Sequence, residues 1–393
     1  MWPFGIRRVR VEPFEARVEQ ALLDDLRERL RRTRWPDRPA QTSGETGIDP
    51  SDLRDLVDYW RSGLDWRAAE ERLNRCSQFR AELSGGRIHL IHERGRGPRP
   101  LPLVVTHGWP GSVFEMLELI PRLTDPERFG APAEDSFDVV APSLPGYGFS
   151  DPPRAPGMHP GRIAAIWLDL MDALGYDRFG AQGGDWGASV ATRLALGAPD
   201  RVVGIHLNYL PGSYRPTLGP EARALSGAEA DFLAACDRWD ETEGAYAHVQ
   251  RTRPDTLAVG LADSPAGLAA WMAEKLWSWS DRMEGGKSRL SRDDVLANVT
   301  LYWLTGTIGS SMRLYHEASR HPLRLAAGER IRVPTGMALF PAETPANPPR
   351  EWVERGYDVT RWTTMPRGGH FAAWEEPDLL ADEIREFFRP LRR

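Results

Sequence analysis

The stretch QGGDWGAS, residues 182–189, sets an acid between two glycines in the frame G-G-D-W-G. That frame belongs to a sharp strand-to-helix turn, which presents its central side chain to a reactant. Gly183 and Gly187 stand two residues either side of Asp185, where any side chain would collide within the turn. The helix that follows favours a negative charge at its N-terminus. Asp185 is therefore the candidate nucleophile.

Two further stretches complete a catalytic set. HGWPGS, residues 107–112, directly follows the apolar run LPLVV. The backbone N–H of Trp109, with that of Trp186 beside the nucleophile, can form an oxyanion hole. RGGHFAAWEEP supplies His370, alone among nine histidines in a glycine-rich loop before the last helical stretch. It comes late in the chain, in the order nucleophile, acid, histidine. Among the late acids Glu329, Glu343, Glu351 and Glu354, Glu343 in LFPAETP directly follows a strand-like run and is best placed to orient His370. His107 reads as a structural residue that shapes its own turn.

An aspartate nucleophile narrows the substrate. Serine attacking an sp³ carbon would leave a stable ether, whereas a carboxylate leaves an ester that activated water can hydrolyse. The substrate is then an alkylating electrophile, an epoxide or an alkyl halide. A halide needs weak N–H donors, of which Trp186 offers one. An opening epoxide makes an alkoxide and needs a true proton donor, a task that suits tyrosine. Several tyrosines lie between residues 212 and 325, and spacing selects no pair from them.

The elements that must position these groups follow from periodicity. In EARVEQALLDDLRERLRRTR, residues 15–34, Val18, Leu22, Leu26 and Leu30 predict one helical stripe that ends at Trp35-Pro36. A second amphipathic helix is predicted from about Ser51 to Leu73, with Ser51 or Asp52 as N-cap. Residues 1–85 thus read as a helical module. RIHLIHE predicts a half-buried strand, and LPLVVTH and FDVVAPS predict buried parallel strands. Helical patterns at GRIAAIWLDLMDALG and GASVATRLALGA alternate with them, and RVVGIHLN follows as a strand. The class is α/β, a mostly parallel sheet with helices on both faces. Strands cease over residues 212–325, a helical lid, and return at RIRVPTGMALF and DVTRWTTMP before a final helix over 377–388. The core therefore comprises 86–211 and 326–393.

Composition excludes some partners. The 393-residue chain carries a formal net charge of −6, giving no reason to expect nucleic acid or an anionic membrane. Its basic residues are almost all arginine, with Lys275 and Lys287 as the lysines. Cys76 and Cys236 are far apart and fit no metal spacing, so a reducing cytoplasm is expected. The stretch MWPFGIRRVRVEPFEAR has no uninterrupted apolar run, and no segment reaches membrane-spanning length. Trp271, Trp277, Trp279 and Trp303 in the lid suggest a large apolar or aryl substrate, or simply helix packing.

A series of motifs now stands in order: RTRWPD (32–37), DLVDYW (55–60), HGWPGS, LPGYGFS (144–150), QGGDWG, YWLTGTIGSSMRLYHE (302–317), VPTG…FPAE (333–343) and RGGHFAAWEEP. This series resembles the microsomal-type epoxide hydrolases, including the juvenile hormone epoxide hydrolases and their soluble bacterial relatives. The resemblance implies an α/β-hydrolase fold, with Asp185 as nucleophile, Glu343 as charge-relay acid and His370 as base. It further implies that Tyr246, in GAYAHVQRTRPDT, and Tyr315, in SSMRLYHE, are the proton donors. Tyr214 and Tyr302 are left to packing. The implied reaction takes an epoxide and water to a vicinal diol through an aspartyl ester, without metal or cofactor. Membrane-bound relatives carry an anchor helix, this chain is expected to be without one, and microsomal location is therefore not implied. NRCSQF (74–79) departs from relatives that have an aromatic residue or proline in place of Cys76 and Ser77. Bacterial members also act in secondary-metabolite biosynthesis. The rivals are a haloalkane or haloacid dehalogenase and a silent ligand-binding relative. A homo-oligomer is compatible with the sequence.

Overall fold

The computed structural model describes residues 9–37, 46–216, 218, 223–326 and 328–392. The chain opens with β1 (Val11–Phe14), α1 (Gln20–Arg31), α2 (Pro50–Ser62) and α3 (Trp66–Asn74). It continues through β2 (Gln78–Leu83), β3 (Gly86–Glu93), β4 (Leu101–Thr106), α4 (Leu119–Thr124), β5 (Phe137–Pro142) and α5 (Pro160–Ala173). Next come β6 (Phe179–Gly183), α6 (Asp185–Gly197) and β7 (Val202–Leu207). Among the described residues six helices separate β7 from β8: α7 (Gly227–Thr242), α8 (Ala245–Thr252), α9 (Pro254–Asp263), α10 (Pro265–Ser278), α11 (Arg292–Thr305) and α12 (Ile308–Arg320). The chain closes with β8 (Ile331–Leu339), α13 (Arg350–Glu354), β9 (Tyr357–Thr364), α14 (Ala372–Glu375) and α15 (Pro377–Phe388).

The strands form one sheet in the order β1-β2-β3-β5-β4-β6-β7-β8-β9. The pairs from β1 through β5 are antiparallel, and the six strands from β5 to β9 are mutually parallel. The mostly parallel α/β architecture expected from the sequence is therefore present. Alternation along each strand feeds two cores. Val104 packs with Ala181, Ile205 and helices α5 and α6, whereas Leu103 and Val105 pack with helices α4 and α15 on the other face. Chain order reverses at β4, with β5 on one side and β6 on the other. The C-terminal ends of β4 and β6 thus flank the switch-point crevice where open α/β sheets bind ligands.

Several expectations need correction. Residues before 85 are not helical throughout, because β1 and β2 pair there, Val11 opposite Ala81. A four-residue strand is too short to show alternation, and its Pro13 is tolerated at a sheet edge. In α1 the buried face is Leu23, Leu26 and Leu30, while Leu22 is 46% exposed and Val18 precedes the helix. An i, i+4 series drifts around a helix of 3.6 residues per turn, whereas spacings of three and four alternate back onto one face. The helix expected over 51–73 is two helices. Gly63 ends α2, and Asp65 caps α3 by accepting the Ala68 N–H at 3.1 Å. Asp49, ahead of Pro50, is the N-cap of α2 and accepts the Ser51 N–H at 2.8 Å. Ile88 to Ile91 of β3 are all buried rather than alternating. Residues 1–8, part of the stretch read for a leader, lie outside the described residues. No helix among the described residues is long and apolar enough to cross a membrane.

The N-terminal helices buttress the six-helix insertion. The Trp60 indole N–H donates to Thr300 Oγ1 at 2.8 Å, and the Tyr59 hydroxyl donates to Asp293 at 2.7 Å, both on α11.

Candidate active site

Asp185 is the first residue of α6, with Gly184 alone between it and the end of β6. Its φ of 44° is the only positive value at a non-glycine among the described residues. An L-residue held in that left-handed region is strained, and the packing around the turn must enforce it. Two close approaches do so. A Cβ on Gly187 would come within 1.9 Å of the Thr106 carbonyl oxygen, and one on Gly108 within 2.3 Å of the Asp185 side chain. The turn therefore presses Asp185 against the end of β4. There the Trp109 N–H donates to Asp185 Oδ1 at 2.8 Å. Trp186 occupies the second position of α6, where a backbone N–H has no carbonyl one turn back to bond.

His370 lies in the loop after β9. Its Nδ1 pairs with Glu343 Oε1 at 2.7 Å, and its Nε2 is 3.6 Å from Asp185 Oδ2. Glu343 follows β8 and also accepts the Thr344 N–H at 2.8 Å. Burial works against a charged imidazole here, but the carboxylates of Glu343 and Asp185 outweigh it and hold His370 well above the ordinary histidine range. The loop is fixed from two sides. The His370 N–H donates to the Trp279 carbonyl at 3.0 Å. The Glu375 carboxylate accepts N–H groups from Asp281, Gly369 and Phe371 at 2.6, 3.1 and 2.9 Å.

Tyr246 on α8 and Tyr315 on α12 are brought together, with ring centroids 5.9 Å apart, on the wall of a cavity that Asp185 also lines. The Trp109 ring stacks on Tyr246 at 5.5 Å, and Trp186 meets Tyr315 edge-on at 4.7 Å. Burial, reinforced by the Asp185 charge, raises the Tyr246 phenol far above its ordinary range. Tyr315 is raised by burial, with Tyr246 and Asp185 adding to the shift. Tyr302 and Tyr214 are engaged elsewhere: their hydroxyls donate to the carbonyls of Gly111 at 2.7 Å and Trp352 at 3.3 Å. His107 is structural. Its Nε2 accepts the Leu144 N–H at 3.2 Å, Nδ1 faces the Gly108 carbonyl, and burial lowers it to about 4.

A cavity of about 350 Å³ opens onto Asp185, Tyr246, Tyr315 and Glu343. Its apolar wall includes Phe232, Trp239, Tyr214, Leu210 and Trp352. The four lid tryptophans singled out in the sequence do not line it. Trp271 bonds Gln250, Trp279 packs on Tyr246 and His370, and Trp277 and Trp303 pack against the core. Helical spacing cannot tell which side of a lid helix faces the cavity. A smaller cavity of about 20 Å³, room for one water, touches Asp185, His370, Asn208 and Glu115. Sequence reasoning missed Glu115, Tyr209 and Asn208. Tyr209 meets the His370 ring edge-on at 5.4 Å, and Asn208 Oδ1 accepts from Gln182 at 2.9 Å. The position of Asn208 and Tyr209 just after a buried strand end was the available signal. Among the described residues no group of three or more His, Cys, Asp and Glu is arranged to hold a metal ion.

Comparison with known proteins identifies two families. Residues 11–116 match the family described as the epoxide hydrolase N terminus, and residues 102–280 match the alpha/beta hydrolase fold. A Stigmatella aurantiaca protein provisionally named an epoxide hydrolase is 45% identical, over 97% of this chain and 86% of the relative. Epoxide hydrolase 1 of Oryctolagus cuniculus is 38% identical, over 98% of this chain and 90% of the relative. The crystal structure of juvenile hormone epoxide hydrolase from Bombyx mori superposes with a TM-score of 0.85 at 30% identity, covering 98% of this chain and 95% of that one.

Proposed function

The chain belongs to the epoxide hydrolase family, and from that membership we propose how its residues carry out the hydrolysis. The Asp185 carboxylate attacks one ring carbon of the epoxide in line and forms an ester. As the C–O bond breaks, its electron pair goes to the epoxide oxygen, which takes a proton from Tyr246 or Tyr315. His370, oriented by Glu343, then removes a proton from a water that attacks the Asp185 carbonyl carbon. The N–H groups of Trp109 and Trp186 stabilise the resulting oxyanion. Collapse of that intermediate breaks the ester, and the departing alkoxide takes the proton back from His370. The proton left on the Asp185 carboxyl restores the tyrosine through solvent, and a vicinal diol leaves.

One arrangement carries this reading: a single carboxylate meets the Trp109 N–H on one oxygen and His370 Nε2 on the other, and shares its cavity with two phenols. The aromatic and aliphatic wall of the cavity favours an apolar or aryl epoxide. Its volume of about 350 Å³ lies in the range of small-molecule sites, and action on epoxides of polycyclic intermediates in secondary-metabolite biosynthesis is part of this proposal. The unpaired thiols of Cys76 and Cys236 support a cytoplasmic location.

The test is mass spectrometry of folded His370→Gln after exposure to styrene oxide. A mass gain equal to the whole epoxide, on the peptide containing Asp185, is expected. A folded variant that stays unmodified across a panel of epoxides would overturn the reading. A second reading, dehalogenation, draws on the buried indole N–H groups of Trp109 and Trp186, which have no hydrogen-bond partner among the described residues. Chloride release from alkyl chlorides would support it.

A further inference from the structure

Two lysines stand among the 50 basic residues of the chain, and one of them, Lys275, is buried on α10. Its ammonium lies 5.2 Å from the ring centroid of Tyr246 and 6.0 Å from that of Trp279. It is paired with Glu274 at 2.7 Å and reaches Glu243 at 3.8 Å. Arginine serves nearly every other basic position, whereas Lys275 brings a compact point charge on a flexible stem. A compact ammonium fits this site.

The surroundings of Tyr246 show what the ammonium could do. Burial disfavours negative charge on its phenol most, Asp185, Asp240 and Glu274 add to that, and the hydrogen bond from Tyr315 opposes it only in part. A tyrosine that gives up a proton in such a place needs an opposing positive charge. Lys275 supplies one at the ring face, over which a phenolate spreads its charge. Glu274 offsets part of that charge, but its side chain is 24% exposed against 9% for Lys275, so the ammonium is the less screened of the two.

We propose that Lys275 is a positioning residue for ring opening: its ammonium, held against the face of Tyr246, stabilises the phenolate formed when that tyrosine gives its proton to the epoxide oxygen. This rests on the reading of Tyr246 as a proton donor. Lys275 touches neither substrate nor nucleophile and acts through Tyr246 alone. Its effect is therefore confined to formation of the ester and absent from hydrolysis.

The experiment is a rapid-quench, single-turnover reaction with styrene oxide that follows the mass of the Asp185 peptide. Wild type, Lys275→Met, Lys275→Gln, Tyr246→Phe and the corresponding double variants are compared. Both lysine variants should form the ester about tenfold more slowly and hydrolyse it at the wild-type rate. In the Tyr246→Phe background the same substitutions should change ester formation by less than about twofold. Equal slowing in both backgrounds, or slowed hydrolysis, would overturn the proposal while leaving Tyr246 as donor. If Tyr246→Phe alone leaves ester formation unchanged, the donor assignment itself falls and this proposal with it. If neither lysine variant folds, as judged by circular dichroism, Lys275 is a structural residue and the proposal is refuted.

Discussion

His370 stands between two carboxylates, with Nδ1 2.7 Å from Glu343 Oε1 and Nε2 3.6 Å from Asp185 Oδ2. Both charges raise its affinity for a proton against the effect of burial. In the mechanism we propose, turning Asp185 into an ester removes one of them. The imidazole then releases its proton more readily at the stage that needs a base. Ester hydrolysis should therefore quicken as pH rises through the His370 pKa of the ester form, because the neutral ring is the active species. Ester formation should lack that limb. Single-turnover rates of the two steps as a function of pH would separate them, and a common profile would count against this coupling.

The two phenols should share proton donation. Either Tyr246→Phe or Tyr315→Phe should leave measurable diol formation, and the double variant should leave none. Complete inactivity of a well-folded Tyr315→Phe would argue against sharing.

Glu115 should behave as a neutral acid at pH 7. Burial pushes its carboxyl up to about 8, the nearby His370 charge opposes that rise, and Asp185 adds to it. The folded protein then binds a proton that the unfolded chain has released, so this group lowers stability as pH rises from its ordinary value toward 8. Glu115→Gln keeps the shape of the neutral acid and should flatten that loss. Thermal melts of both proteins at acid and alkaline pH give the comparison, and parallel curves would show Glu115 to be ionised throughout.

The elbow should not tolerate a methyl group at Gly187. The added Cβ meets the Thr106 carbonyl at 1.9 Å, backbone that cannot swing aside. Gly187→Ala should cost about 3 kcal/mol in denaturant unfolding, and should slow ester formation in whatever protein still folds.

Helix α11 should support the oxyanion hole from a distance. Tyr302 bonds the Gly111 carbonyl and Asn298 the Pro110 carbonyl, each at 2.7 Å, so the turn that carries Trp109 is fastened to it. Tyr302→Phe should cost about 1 kcal/mol of stability and slow ester hydrolysis more than ester formation, since the oxyanion arises in the later step. Rapid-quench kinetics would reveal the split, and equal slowing of both steps would assign Tyr302 to general packing.

The chain by itself determined what neighbouring residues encode. The β-branched runs between glycines and prolines announce the parallel strands, and G-G-D-W-G after FGAQ announces the elbow, because turn chemistry and period-two burial are local. Tertiary structure decided everything that depends on which distant elements meet. Nothing near Glu115 in sequence says that its carboxyl lies by His370, 255 positions later in the chain, and no helical period distinguishes Trp239, on the cavity wall, from Trp277, in the packing. The split between α2 and α3 and the drift of the α1 stripe away from Leu22 have the same origin. Local patterns specify that a face is apolar, and only the partner that covers it decides where that face begins and ends.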